Sequence, residues 1–493
     1  MNKFNFLAVA FFITGIISPI ADRAEVIGDR SLNNPNTQQT TTSISIAQNS
    51  REGRNPTPGT GNRRQENRFR RINNNLFNTP PIPNTSQLQT TRGAVADQEQ
   101  DWKKDYEDYI KTSFSNPLMS SKAISETLST IEKKTGKKSA VVYLIPKPKQ
   151  LEIILVTSRN KPVSKSIQAA NRDALLKISQ QFKTEISDLR RVDTTSYLAS
   201  AQQLYQWLIA PIEKELKAEN IDTLVFCVGV GLRSVPFAAL HDGKKFLVEN
   251  YSISLIPAFS LTDTRYTDIR DFSVLAMGAS QFKDLAPLPA VPIELSTIVR
   301  DKGGTSFLND KFTLENLRSQ RQQQSYKIIH LATHGVFQPG AVNNSYIQLW
   351  NTKLHLNQLR QLQLNNPPVD LLVLSACKTA LGDEQAELGF SGLALEAGVK
   401  SAMGSLWNVS DAGTLVLMTE FYQYLKTSPV KAEALRQTQI RMLKGQIKIE
   451  QGQLRQTGLR TGTPLPPELS QLGDLDLSHP YYWAGFTMIG SPW

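Results

Sequence analysis

Cysteine is nearly absent from this chain: Cys227 and Cys377 are the only two in 493 residues. A disulfide framework beyond a single bridge is therefore excluded, and with no CxxC pair there is no thiolate zinc site to consider. Histidine is scarce too, and all five (His241, His330, His334, His355 and His479) lie beyond residue 240. HExxH is missing, which removes the common zinc hydrolases, and so is the spacing of a zinc deaminase. Phosphate loops fail as well. "TGKKS" contains a Gly-Lys, but Ile131 stands where a Walker loop needs its first glycine. "GVGLRS" lacks the third glycine of a dinucleotide fingerprint, and "GFSGL" is one residue off a nucleophile elbow. No cofactor and no metal are expected.

Long apolar runs are confined to the start, where "MNKFNFLAVAFFITGIISPIADRAEV" has a basic residue, an apolar core and then small residues. Residues 1–24 read as a secretory signal, with an uncleaved anchor or a buried strand as the other readings. Export to the periplasm or the exterior is expected. No later stretch reaches the ~18 apolar residues of a membrane helix. Residues 25–96 are rich in Asn, Thr, Gln and Pro without helical or strand period, the composition of a disordered linker. Within it "REGRNPTPGTGNRRQENRFRR" has seven arginines and no lysine. The net charge of +11 hints at an acidic partner, but an exported chain rarely meets nucleic acid, so a solvated linker is the simpler account and no nucleic-acid partner is expected.

Hydrophobic residues make up 40% of the sequence, enough for a sizeable core. From Asp97 onward the pattern is that of a folded chain. "SAVVYLIP" and "LEIILVTS" read as paired strands, and "TSYLASAQQLYQWLIAPIEKELKAE" as one amphipathic helix. After "TLVFCVGVG", apolar strands alternate with helical stretches: "FSVLAMGAS", "PAVPIELSTIVRD", "YKIIHLATHG", "VDLLVLSACKT", "KSAMGSLWNVS", "DAGTLVLMTEFYQYLK". This alternation predicts an α/β fold with a mostly parallel sheet covered by helices on both faces. Residues 97–220 form a helical and β lead-in, and 221–493 the core.

In open α/β sheets chemistry collects at the C-terminal ends of strands. Three strands end in polar or Gly-containing turns, at Ala332–Gly335, Ser375–Thr379 and Leu406–Asp411. His334 and Cys377 are separated by about one helical crossover, so neighbouring parallel strands would bring them to the same edge. An imidazole beside a thiol lowers its pKa and later protonates a leaving amine. Gly335 and the backbone amide of Cys377 could then form an oxyanion hole. The competing reading is that a strand-end cysteine is core filler, since free cysteine is among the most buried residue types. Cys227, inside "TLVFCVGV", fits that reading well. His330 reads as a hydrogen-bonded interior residue.

At these residues the chain resembles the CHAT domain, a bacterial family of caspase-like, separase-related cysteine peptidases abundant in cyanobacteria. "IIHLATHGVF", "LLVLSACKTALG" and "GVKSAMGSLWNVSD" carry the resemblance. "GLRSVPFAALHDGKKFLVENYSISLIPAFS", "VLAMGAS" with "PLPAVPIELS", and the closing "HPYYWAGFTMIGSPW" extend it. The resemblance implies a caspase-haemoglobinase-like fold and endopeptidase chemistry through a thioester acyl-enzyme. His334 would be the general base and acid, Cys377 the nucleophile, and Gly335 with the Cys377 amide the oxyanion donors. Asp411 matches an acidic position that receives a basic P1 side chain. It also stands directly before an apolar helical run, where it would serve as an N-cap.

The helical repeats that many relatives carry are missing, so an activating protein partner is an open expectation beside the protein or peptide substrate. A catalytically silent, peptide-binding scaffold is the rival reading. "GQLRQTGLRTGTPLPPELSQLGD" reads as an inserted surface loop.

Overall fold

In the computed structural model the described residues are 87–159, 161–379, 383–456 and 462–493, with only the backbone described at 87–92, 376–379 and 456. The signal-like segment 1–24 and most of the linker expected at 25–96 lie outside them. The linker's last part is helical, because the helix Gln87–Ile110 begins inside it. Its Val95, Trp102, Tyr106 and Ile110 recur at helical spacing and are buried, so the folded region starts earlier than the composition implied.

Sixteen strands are described. Those of the main sheet are β1 (Ser139–Pro146), β2 (Leu151–Val156), β3 (Val163–Ile167), β4 (Thr223–Val228), β5 (Ser252–Ile256), β6 (Val274–Gly278), β7 (Gly304–Leu308), β8 (Ile328–Phe337), β9 (Tyr346–Gln348), β10 (Lys353–His355), β11 (Leu371–Thr379) and β12 (Ser401–Ser405), then, after a separate three-stranded sheet of β13 (Ile447–Glu450), β14 (Gln453–Gln456) and β15 (Thr463–Pro464), β16 (Phe486–Gly490). The main sheet runs β10-β9-β8-β11-β12-β16-β5-β4-β1-β2-β3, with β6 and β7 continuing from the first half of β8. It is mostly parallel, as expected, but it consists of two parallel blocks. Strands β7, β6, β8, β11 and β12 run one way; β16, β5, β4 and β1 run the other; they meet at the antiparallel β12–β16 pair. Because β1 pairs with β4, residues 97–220 and 221–493 share one sheet.

Helices cover both faces, and β1 shows why. Its Val141, Tyr143 and Ile145 pack on one face with Trp102, Ile124 and Leu128, while Ala140, Val142 and Leu144 pack on the other with Phe182 and Leu204. A strand buried on both sides needs an unbroken apolar run, and that is what "AVVYLI" is. Two expectations are corrected. The single helix read over 195–219 is interrupted after Leu208, because Pro211 has no N–H to continue the ladder; short helical pieces follow at Ala210–Ile212 and Glu213–Ala218. The presumed surface loop after Gly452 instead supplies β14, β15 and the helix Pro467–Ser470. Among the described residues no helix is long and apolar enough to cross a membrane.

Candidate active site

The site lies where β8 changes partner. Its first half runs beside β6, Gly335 and Val336 run beside β9, and β11 follows the other flank throughout. Between Leu331 and His334 the register with β11 shifts, β8 advancing one residue more than β11. Beyond this irregularity His334 pairs with Ala376, and Gly335 with Cys377. The backbone thus brings His334 and Cys377 one register step apart on adjacent parallel strands. The Cys377 side chain lies outside the described residues. Neither strand ends where its polar residues suggested: β8 continues to Phe337 and β11 to Thr379. Gly335 is therefore paired on both sides, with Cys377 and with Ile347.

His334 is half-buried. Its Nε2 lies 2.8 Å from the carbonyl oxygen of Ala286. A carbonyl can only accept, so Nε2 carries the proton and, in the neutral ring, Nδ1 keeps its lone pair for use as a base. Phe282 sets its ring against the imidazole at a centroid distance of 4.7 Å and 60°. Both contacts come from the loop that joins β6 to the helix Val291–Lys302, running from Ala279 to Ala290. Gly278 makes that loop possible: a Cβ there would stand 2.5 Å from the carbonyl oxygen of Ala332. The Ala279 N–H donates to that same carbonyl at 3.1 Å.

Asp411 is the first residue of the helix Asp411–Leu425, and the N-cap is Ser410, whose Oγ accepts from the Gly413 N–H at 3.4 Å. The capping role expected for Asp411 therefore passes to its neighbour. The Asp411 Oδ2 instead accepts from the Ala290 N–H at 2.8 Å. Burial pushes its carboxyl up to about 7, with Glu294 adding to the rise and the Ala290 N–H opposing it. Among the described residues no ion pair involves Asp411. The carboxyl is held largely out of water without a cation, a suitable setting for a basic side chain arriving from outside.

His330 is fully buried, as its reading as an interior residue implied. Its Nε2 lies 2.8 Å from the Glu294 Oε1 and its Nδ1 3.2 Å from the Tyr422 hydroxyl. This strut ties β8 to the helices Val291–Lys302 and Asp411–Leu425, from which the loop and Asp411 depart. Cys227 is buried with its Sγ 3.6 Å from the Pro257 carbonyl oxygen, and burial holds its thiol well above the ordinary range. It is core filler, with no thiolate to offer. Sequence reasoning missed Ala286, which meets His334 through a carbonyl that no side chain announces. Among the described residues no cluster of three or more metal-ligating side chains occurs.

The CHAT domain family model matches residues 198–491. No curated protein sequence matches the chain. Two crystal structures of the Saccharomyces cerevisiae separase–securin complex are similar to it, each at 10% identity and a TM-score of 0.45. They cover 81% and 85% of this chain, which spans only 33% and 35% of theirs. With the family model extending over more than half of its length, the chain belongs to the CHAT domain family.

Proposed function

We propose that the chain is a CHAT-type cysteine endopeptidase with Cys377 as nucleophile and His334 as base and acid. The observation that carries this reading is the β8–β11 register, which sets Cys377 beside Gly335 and one step from an imidazole whose Nε2 is already committed to Ala286. Nδ1 would take the Sγ proton, and the thiolate would attack the scissile carbonyl carbon. The electron pair of that carbonyl moves to oxygen, where the backbone N–H groups of Gly335 and Cys377 would receive it. As the intermediate collapses the C–N bond breaks, and the proton on Nδ1 passes to the leaving amine. Water activated by the same nitrogen then cleaves the thioester and restores the thiol. Because Gly335 stands within the ladder between β11 and β9, its use as a donor requires that end of the ladder to open as substrate arrives.

Asp411 gives the preference for a basic P1 residue, and a polypeptide is the partner in either the enzymatic or the scaffold reading. Peptides differing only at P1 test both parts. Cleavage is expected after Arg or Lys at a rate at least about tenfold above Gln, the scale of a charge-assisted contact, and absent with Cys377→Ala. Equal cleavage by the variant would remove Cys377 from the mechanism, and preference for Asp would remove Asp411 from the P1 site.

A further inference from the structure

The loop Ala279–Ala290 serves both halves of the candidate site: the Ala286 carbonyl meets His334, and the Ala290 N–H meets Asp411. A loop of this length holds two such groups in place only if its own base is fixed. One side of the base is closed internally, where the Leu288 N–H donates to the Ser280 carbonyl at 2.9 Å. The other side is held from outside the loop. The Ser280 N–H donates to the Oδ1 of Asn309 at 2.9 Å, and the Ser280 hydroxyl reaches the same oxygen at 3.3 Å.

Asn309 follows β7, and its φ is 51°, in the left-handed region. Few residues other than glycine adopt that conformation without strain, Asn and Asp among them. Of those, only Asn and Asp also bring a short side-chain acceptor. The position thus asks for two properties at once, left-handed backbone and a carbonyl-type oxygen, and Asn supplies both. β7 also runs parallel to β6, with Gly278 opposite Leu308. The residue after β7 therefore lies level with the first residues of the loop.

We infer that Asn309 is a positioning residue for the Ala279–Ala290 loop, and through it for both His334 and Asp411. The inference rests on the proposed peptidase reading of those two residues. It has a distinctive consequence. A support for the imidazole alone would affect turnover, and a support for the P1 carboxylate alone would affect selectivity. Asn309 supports both, so the two must fall together.

Three variants separate the two properties. Asn309→Gly keeps the left-handed backbone and removes the acceptor. Asn309→Asp keeps both, and Asn309→Ala keeps neither. In Asn309→Gly we expect kcat to fall roughly ten- to a hundredfold, the scale set by misplacing catalytic groups by about an ångström, together with reduced preference for Arg over Gln at P1. Asn309→Asp is expected to recover most of both losses. A second readout needs no turnover: with 15N-labelled histidine, the His334 ring should show the proton on Nε2 in the native protein and in Asn309→Asp, and a tautomer mixture in Asn309→Gly. His334→Gln assigns the signal.

Native-like kinetics and native tautomer in Asn309→Gly would overturn the inference, as would equal impairment of the Gly and Asp variants. Cys377→Ala, assayed alongside, keeps the two claims apart. Cleavage that survives Cys377→Ala contradicts the peptidase reading, whereas Cys377-dependent cleavage indifferent to Asn309→Gly contradicts the positioning role alone.

Discussion

A carboxyl group kept mostly out of water with no cation beside it costs the folded chain stability, and Asp411 is such a group. Its folded pKa, about 7, lies above the ordinary value of 3.8. Between those two values the unfolded chain has released the proton and the folded chain retains it, so stability falls as pH rises from about 4 to about 7. Above 7 the full cost is present, at most about 4 kcal/mol at 1.36 kcal/mol per unit. Asp411→Asn keeps an oxygen for the Ala290 N–H and removes the charge. Its melting temperature should exceed that of the native protein at pH 8 and match it at pH 4, with the Arg or Lys preference lost. A variant less stable at pH 8 would mean that the charge is already compensated. At this scale the sequence was informative for side chains whose chemistry is unusual where they stand. Cys227 sits in an unbroken apolar run and is buried, whereas Cys377 ends one. The roles of Ala286 and Asn309 depend on where the loop folds back, and nothing in their own residue types fixes that.

Elements were legible where periodicity is strong and were misjudged at their ends. "YKIIHLATHG" reads as a strand ending at its polar residues, yet β8 runs on to Phe337 because pairing with β9 and β11 satisfies the backbone beyond His334. The apolar run "AGTLVLMTEFYQYL" was rightly helical, and the error lay in its cap. Both Ser410 and Asp411 are capping types, and only the backbone distinguishes them: Ser410 is extended, at φ −64° and ψ 133°, outside the helix that Asp411 begins. Ser410→Ala should therefore cost about 1 kcal/mol of unfolding free energy in denaturant titration. An unchanged unfolding free energy in Ser410→Ala would contradict its assignment as the cap.

For the whole molecule, composition and alternation gave the α/β class and the helices on both faces. They did not reveal that the sheet is two opposed parallel blocks, because the direction of β16 beside β12 is a long-range pairing with no local signature. The arrangement matters for the site. Strands β6, β8, β11 and β12 end on one edge, which gathers the Ala279–Ala290 loop, His334, Cys377 and the approach to Asp411. The opposed block reaches the helix that follows Cys377 through a buried ion pair. Lys183 Nζ lies 2.9 Å from the Glu387 Oε1, with both side chains 2% exposed. The helix Arg172–Ile186, in the region read as a lead-in, thus braces the half that carries the candidate site.

The central claim is that this edge cleaves polypeptides through Cys377, and one comparison tests it most directly. The full chain, native and Cys377→Ala, is incubated with a denatured mixed proteome at pH 8, and the newly formed N-termini are sequenced. The account expects new termini with the native chain alone, preceded by Arg or Lys. Identical sets of termini from the two proteins, or none from either, would contradict it.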